Sequence, residues 1–184
     1  MYNIGLIGKA QSGKDTAAGF LVRGRRYTPL AFADPLRAML LDINPYVHCP
    51  GVTVRLESLV ADVGWDYAKT QYPEVRRLLQ RVGQTMRERD PDYWVSNMRR
   101  LLNGAERLNM PVVVTDVRYR NEADMLVTRG FRLVRIVRPG ASAGGSAASH
   151  SSETELDDYA TPVTIRNNGS VGDLRDAILA AAGA

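Results

Sequence analysis

Apolar residues fall along this chain in two kinds of run. The short, nearly continuous ones cover 4–7, 27–33, 110–116, 131–138 and 162–166, and each predicts a strand. The best of them is Met110-Pro111-Val112-Val113-Val114-Thr115-Asp116. A β-branched run of that kind is what a parallel strand covered on both faces looks like. The longer stretches space their apolar residues three and four apart. Over 73–89, Val75, Leu79, Val82 and Met86 form one stripe with Leu78 beside it, which predicts a helix with one buried face. Further helices are expected from Thr16 onward, from Asp34 to Leu41, over 54–63, 93–102, 121–129 and 171–182. Asp34 suits N-cap and Pro35 suits N1 of the second of these. Asn121 suits the cap of the helix ending at Arg129, and Asn103-Gly104 suits the close of the one before it. Residues 44–53, with two prolines, a glycine, His48 and Cys49, read as a surface excursion without assigned chemistry.

Between the first strand and the first helix lies Gly8-Lys9-Ala10-Gln11-Ser12-Gly13-Lys14-Asp15-Thr16. The run fits G-x-x-x-x-G-K in the context that motif needs: strand, glycine loop, helix. In that arrangement backbone N–H groups and a helix N-terminus converge on a polyphosphate. Gly8, Ala10, Gln11, Ser12, Gly13, Lys14, Asp15 and Thr16 are therefore candidates for ATP binding, with Lys14 reaching the terminal phosphates. Asp15 stands where Ser or Thr usually follows the lysine. A carboxylate there is repelled by triphosphate unless a cation lies between. It is read as a magnesium ligand, directly or through water, with Thr16 bonding phosphate. The alternative is an acid in the first turn of a helix, favoured by the dipole.

Three further places offer chemistry. Asp34 and Arg37 follow a strand, where open α/β sheets bind ligands at the carboxyl end. Asp34 is either the helix cap or an acceptor for a sugar hydroxyl, and Arg37 a phosphate partner. On helix 73–89 a second stripe, Arg76, Gln80, Gly83 and Arg87, runs beside the apolar one. Glycine costs a helix about 1 kcal/mol against alanine. A bare spot there implies close packing by a ligand or a backbone, against the plainer reading of a solvated basic face. At the end of the central strand, Asp116 is placed to hold magnesium through water, or else it forms a turn. Arg118 and Arg120 enter the same rim, either for a phosphate or for salt bridges to Glu122 or Asp124.

Residues 139–149 carry no charge and almost no bulk, which predicts a mobile segment. Its place after a strand suits a lid over phosphates, and a surface loop without function is the rival. Arg138 at its hinge is the nearest cation. Ser152 and Glu155 stand at capping-box spacing.

The bulk properties narrow the class. At 184 residues and 45% hydrophobic, the chain suits one domain, 1–184, with small inserts. No stretch is long and apolar enough for a membrane span, no signal peptide precedes the first strand, and no membrane partner is expected. One cysteine excludes an internal disulfide framework and suits a reducing, cytoplasmic setting. Cys49, His48 and His150 are too few for a convincing zinc site. The net charge of +4 favours anionic ligands. The arginines interleave with acids and form no stripe, so no stable nucleic-acid partner is expected. Oligomeric state stays open, with a homodimer the common case for soluble enzymes.

Several segments together resemble a known family. They are Gly8 to Thr16, Phe32-Ala33-Asp34-Pro35-Leu36, Arg77-Leu78-Leu79-Gln80 with Gly83 and Arg87, and Thr115-Asp116-Val117-Arg118 with Asn121-Glu122. His150 with Ser152-Glu153, and Asn167-Asn168-Gly169-Ser170, complete the set. Their order and spacing resemble the deoxynucleoside monophosphate kinases of bacteriophages, within the P-loop kinase superfamily. The likeness runs over most of the chain and is weakest at 44–60 and in the Gly/Ala/Ser segment.

The resemblance implies an α/β, three-layer P-loop kinase fold. A five-stranded parallel sheet would carry helices on both faces, an acceptor-binding insert at about 34–107 and a mobile lid at about 139–152. It implies ATP as donor, a deoxynucleoside monophosphate (dNMP) as acceptor, and magnesium. Asp34, Arg37, Arg76, Gln80, Gly83, Arg87, Arg118 and Glu153 would bind the acceptor. Lys14, Asp116, Arg118 and Arg138 would border the transfer centre, with His150 flanking the lid. Asn167 and Asn168 would lie near the donor base, and Asp15 and Asp116 would share the metal ion. The expected reaction is transfer of the γ-phosphoryl of ATP to a dNMP in the cytoplasm, that of the host cell if the gene is a phage's. The alternatives are a P-loop kinase acting on dephospho-coenzyme A or a phosphorylated alcohol, and a non-catalytic ATP switch that binds nucleic acid.

Overall fold

The computed structural model describes residues 1–141 and 154–183. Within it the run Ile4–Ile7 forms β1, buried along its whole length. It is the middle strand of a five-stranded sheet, joined by β2 (Thr28–Leu30), β5 (Val112–Val117), β6 (Arg132–Val137) and β7 (Val163–Arg166). The order is β2-β5-β1-β6-β7 and every pairing is parallel. Register sets Ile4 beside Val113 on one flank and Arg132 on the other, so β1 has partners on both edges.

Alternation assigns the two faces. Ile4, Leu6, Val113, Val134, Ile136 and Ile165 share one core with Ala17, Ala18 and Leu21 of α1 (Lys14–Arg25) and Leu174, Ile178 and Ala181 of α7 (Val171–Ala181). Gly5 points the other way, where a Cβ would stand 3.1 Å from Leu126 of α6 (Arg120–Thr128). The later part of α5 (Tyr93–Arg107) lies alongside α6, because Arg129 bonds both Glu106 (2.9 Å) and Asn103 (2.7 Å). The architecture is thus α/β, a five-stranded parallel sheet with helices on both faces.

The chain divides into two compact units. One is Met1–Phe32 with Val95–Ala184, which holds the sheet; the other is Ala33–Trp94. The second unit contains α2 (Ala33–Ile43), β3 (Tyr46–Cys49), β4 (Val52–Arg55), α3 (Leu56–Gln71) and α4 (Pro73–Arg89). Its core is Leu40, Val47, Leu56, Leu59, Ala68 and Val75. Leu78, Leu79 and Val82 of the expected α4 stripe pack against that core.

Four expectations change. Residues 44–53 are no simple excursion: β3 and β4 form an antiparallel hairpin that turns at Pro50-Gly51. Its anchor is Val47, fully buried, and the His48 N–H donates to Glu74 of α4 at 2.7 Å. The helix expected over 54–63 starts at Leu56 and resumes beyond a break at Gly64 (φ 76°) to reach Gln71. α5 continues through Asn103-Gly104, because a Cβ at Gly104 would meet open space and an exposed glycine weakens a helix without ending it. α2 starts at Ala33, so Asp34 occupies the first turn and not the cap.

Among the described residues no helix is long and apolar enough to cross a membrane. Of the lid expected at 139–152, everything from 142 onward lies outside the described residues, as do His150 and Glu153.

The last helix shows its start most plainly. Ser170 accepts the Asp173 N–H at 3.2 Å while Asp173 accepts the Ser170 N–H at 2.8 Å. Replacing such a cap by alanine costs about 1 kcal/mol. Ser170→Ala should therefore lose about that amount in urea denaturation, with little change in m-value; an unaltered midpoint would contradict the capping account.

Candidate functional site

The loop after β1 is held from two sides. Gly8, at the strand's end, lies against β6: a Cβ there would come within 2.4 Å of the Ile136 carbonyl oxygen. Gly13 caps α1 in a left-handed conformation (φ 102°), which glycine adopts without steric cost. A Cβ on Gly13 would stand 2.4 Å from Asn167 Nδ2, and that amide donates to the Ser12 carbonyl at 2.9 Å. Asn167, expected near a donor base, is thus in direct contact with the loop itself. Between the two glycines the Ser12 N–H donates to the Lys9 carbonyl at 3.2 Å.

Lys14 opens α1 and is buried. Its ammonium donates to the Gly8 carbonyl at 2.6 Å and the Lys9 carbonyl at 2.7 Å. A buried ammonium needs such partners, because desolvating an unpaired charge is costly. Ser12 Oγ is also buried, and it has no hydrogen-bond partner among the described residues.

Two cavities open beside the loop, both within the sheet unit. One, of about 380 Å³, is lined by Gln11, Gly13, Lys14, Asp15, Thr16 and Arg138. The structure therefore brings Arg138, from beyond the end of β6, to the same space as the start of α1. Asp15 and Thr16 are exposed in the first turn of that helix. The other, of about 410 Å³, is lined by Gly8, Lys9, Ser12, Arg118, Arg138 and Asp157 among others. Four of its lining residues are cationic, since Arg135 joins Lys9, Arg118 and Arg138. Lys9 pairs with Asp157 at 3.1 Å.

The turn after β5 is fastened by carboxylates. Asp116 Oδ1 accepts the Phe32 N–H at 2.7 Å, which ties the end of β2 to the end of β5. Glu122, only 1% exposed, accepts the N–H groups of Arg118 (2.9 Å) and Tyr119 (3.2 Å) through one oxygen. Tyr119, not Asn121, is the N-cap of α6. Arg120 forms a salt bridge, but to Asp158 and not to the expected Glu122 or Asp124, and its N–H donates to Glu155 at 2.9 Å. Asp116, Ala10 and Asn168 line neither cavity.

Residues 155–159 are secured to the same rim. Arg135 donates to the carbonyls of Leu156 and Tyr159, each at 2.7 Å, and Tyr159 donates to Asp124 at 2.7 Å. Burial first, and then the Asp124 carboxylate, push the Tyr159 hydroxyl up to about 12. The phenol stays a neutral donor at physiological pH.

On the second unit, Asp34 and Arg37 pair with each other at 3.3 Å. Of the α4 stripe, Gln80, Gly83 and Arg87 are half-buried and Arg76 is exposed. The bare spot at Gly83 faces a side chain: a Cβ there would stand 3.3 Å from Leu36 Cδ2. The Gly83 carbonyl accepts the indole N–H of Trp94 at 3.1 Å.

As for a metal, no group of three or more His, Cys, Asp or Glu is arranged to hold one among the described residues. Magnesium does not require such a group. It is commonly bound through one or two carboxylates plus substrate phosphates and water. Asp15, lining the cavity with Lys14 and Thr16, fits that pattern. Asp116 has one oxygen engaged by Phe32.

Sequence reasoning missed three residues at this site: Lys9, Arg135 and Glu122. Glu122 had a legible signal, since it stands three residues after the position that proves to be the cap.

A model of a family described as deoxynucleotide monophosphate kinase matches residues 51–178. Among curated proteins, the uncharacterized protein ORF76 of Ictalurid herpesvirus 1 (strain Auburn) is 41% identical over 108 residues, covering 57% of this chain and 44% of that protein. The uncharacterized protein ORF77 of the same virus is 30% identical over 107 residues, covering 58% and 47%. A protein of Acanthamoeba polyphaga mimivirus, titled "Putative deoxynucleotide monophosphate kinase", is 30% identical over 167 residues, covering 85% of this chain and 82% of its own length. The matched region spans less than half the length of the two herpesvirus relatives.

The loop's geometry makes its own prediction. Gly13→Ala should destabilise the protein by about 1–3 kcal/mol through left-handed strain, with the Asn167 contact adding to it. Combining it with Asn167→Ala removes the collision and leaves the strain. The double variant should therefore lose less stability in chemical denaturation than the two singles summed; strict additivity would show that Asn167 does not press on the loop.

Proposed function

The chain belongs to the deoxynucleotide monophosphate kinase family, and on that premise we propose that it transfers the γ-phosphoryl of ATP to the phosphate of a dNMP, giving the dNDP and ADP. The observation that carries this reading is the convergence of Gly13, Lys14, Thr16 and Arg138 on one cavity at the N-terminus of α1. A helix N-terminus and a glycine loop favour the phosphates of a nucleotide. Lys14 exchanges its two loop carbonyls for phosphate oxygens on binding, which keeps its charge compensated throughout. Ser12 Oγ, buried without a partner, gains one where the loop tightens round the ligand.

Donor and acceptor are both anionic, so the work of the chain is alignment and charge neutralisation. No strong general base is required, because the attacking atom is already a phosphate oxygen. Lys14 and Arg138 offset charge on the donor side, and Arg118, from the end of β5, meets the phosphoryl group or the acceptor phosphate. Asp15 would hold magnesium, helped by Asp116 through water, and the ion when bound supplies neutralisation of the donor phosphates. Asp34, Arg37, Arg76, Gln80, Gly83 and Arg87 are assigned to the acceptor by the family resemblance, as is Glu153. Asn167 and Asn168 are assigned to the donor end on the same ground, Asn167 through its hold on the loop.

The test is a coupled ADP-release assay with each dNMP. Lys14→Ala should remain folded, with Tm lowered by a few degrees for its lost carbonyl bonds. Its kcat should fall about a thousandfold. A variant that turns over at the wild-type rate would remove Lys14, and with it the donor assignment, from the mechanism.

A further inference from the structure

Glu122 is a buried carboxylate that the phosphoryl-transfer reading does not use. Acids are almost never fully buried unless they are paired, and this one is 1% exposed. One of its oxygens accepts the main-chain N–H groups of Arg118 and Tyr119, at 2.9 and 3.2 Å. These belong to successive residues, so a single atom pins two peptide planes where the chain leaves β5. The preceding end of the same turn is pinned as well, by Asp116 on the Phe32 N–H. Between these two anchors, Val117 and Arg118 line the cavity beside the loop, and Arg118 is the cation of the pair.

We propose that Glu122 is the positioning residue for Arg118. By holding the N–H groups of residues 118 and 119 it fixes the main chain from which the Arg118 side chain enters the cavity. The inference rests on the phosphoryl-transfer reading for the meaning of turnover, but not for the geometry. A cap alone does not call for this burial. The first turn of a helix is satisfied as well by an exposed acid or amide three residues in, as Asp173 does in α7. A carboxylate enclosed beneath the turn instead leaves Arg118 no freedom to shift, and a displacement of about 1 Å at a reacting centre can cost about a hundredfold in rate.

Substitutions at Glu122, alone and with Arg118→Ala, and an amide-exchange readout decide the matter. Glu122→Met has similar length and no acceptor; its kcat should fall about a hundredfold while KM for ATP changes less than about twofold. Glu122→Gln keeps an acceptor oxygen and should restore kcat to within about fivefold of wild type. In an Arg118→Ala background, Glu122→Met should cost almost nothing further, because the two act as one unit. Wild-type kcat in Glu122→Met, or losses that multiply with Arg118→Ala, would overturn the proposal and leave Glu122 a purely structural cap. Should Glu122→Met not fold, Glu122→Asp takes its place: one methylene short but still charged, it should lose about tenfold in kcat, and an unimpaired rate overturns the idea. If the wild-type protein releases no ADP with any dNMP, the kinase reading fails separately. Amide hydrogen exchange then decides the positioning role, since the Arg118 and Tyr119 amides should be protected in wild type and exchange faster in the Met or Asp variant; equal exchange would refute it.

Discussion

The candidate site depends first on how the loop after β1 is held in place. Its first glycine is pressed against the β6 backbone at Ile136, and its last carries the Asn167 amide on its back. Neither place has room for a Cβ. A flexible glycine loop would lose its phosphate-binding shape to conformational entropy. Here the neighbouring strand and the turn after β7 impose that shape before any ligand arrives. Lys14 completes the arrangement by bonding the Gly8 and Lys9 carbonyls, so the loop also holds its own charge. Preorganisation of this kind is what electrostatic catalysis requires, because dipoles fixed in advance need not reorient during the reaction.

A second constraint works on the other side of β1. Because β2 pairs with β5 and not with β1, the end of β2 comes within reach of Asp116. The Asp116 and Glu122 carboxylates then hold the two ends of one short turn. Acids whose first reading was metal binding or surface pairing thus also serve main-chain N–H groups. The same holds for the basic residues nearby. Arg120 and Arg135 fasten residues 155–159 to the rim, while Arg118 and Arg138 line the cavities. Of these four arginines, Arg120 anchors the chain, Arg118 and Arg138 face the site, and Arg135 does both.

Much of this was legible from the residues. The strand, loop and helix around Gly13 follow from a motif with its context, and the β-branched run before Asp116 marks a strand buried on both faces. Pro73 to Arg89 forms the expected helix because its stripe repeats cleanly and proline sets its start. Other features depend on tertiary neighbours. The hairpin at 46–55 has strands of four residues each, too short to show a period, and is stabilised by Val47 and by Glu74 from a distant helix. Asp34 looks like a cap because Pro35 follows it, yet the helix begins one residue earlier. The bare spot at Gly83 suggests a ligand or a backbone, but what faces it in the structure is the Leu36 side chain, which no local pattern shows. Glu122 sits among charged neighbours and reads from the sequence as a salt-bridge partner of Arg118 or Arg120. In the folded chain it is only 1% exposed.

In the proposed reaction the loop at Gly8 to Thr16 serves the donor half of a phosphoryl transfer whose acceptor is a dNMP. Phosphorus NMR of ATP with magnesium, the protein and one nucleotide at a time tests it most directly. The dNMP series, the ribonucleotides and dephospho-coenzyme A form the panel. A dNDP signal should grow in step with ADP for at least one dNMP, and dephospho-coenzyme A should stay unmodified. ADP formed only with dephospho-coenzyme A, or no transfer to any dNMP, would contradict it.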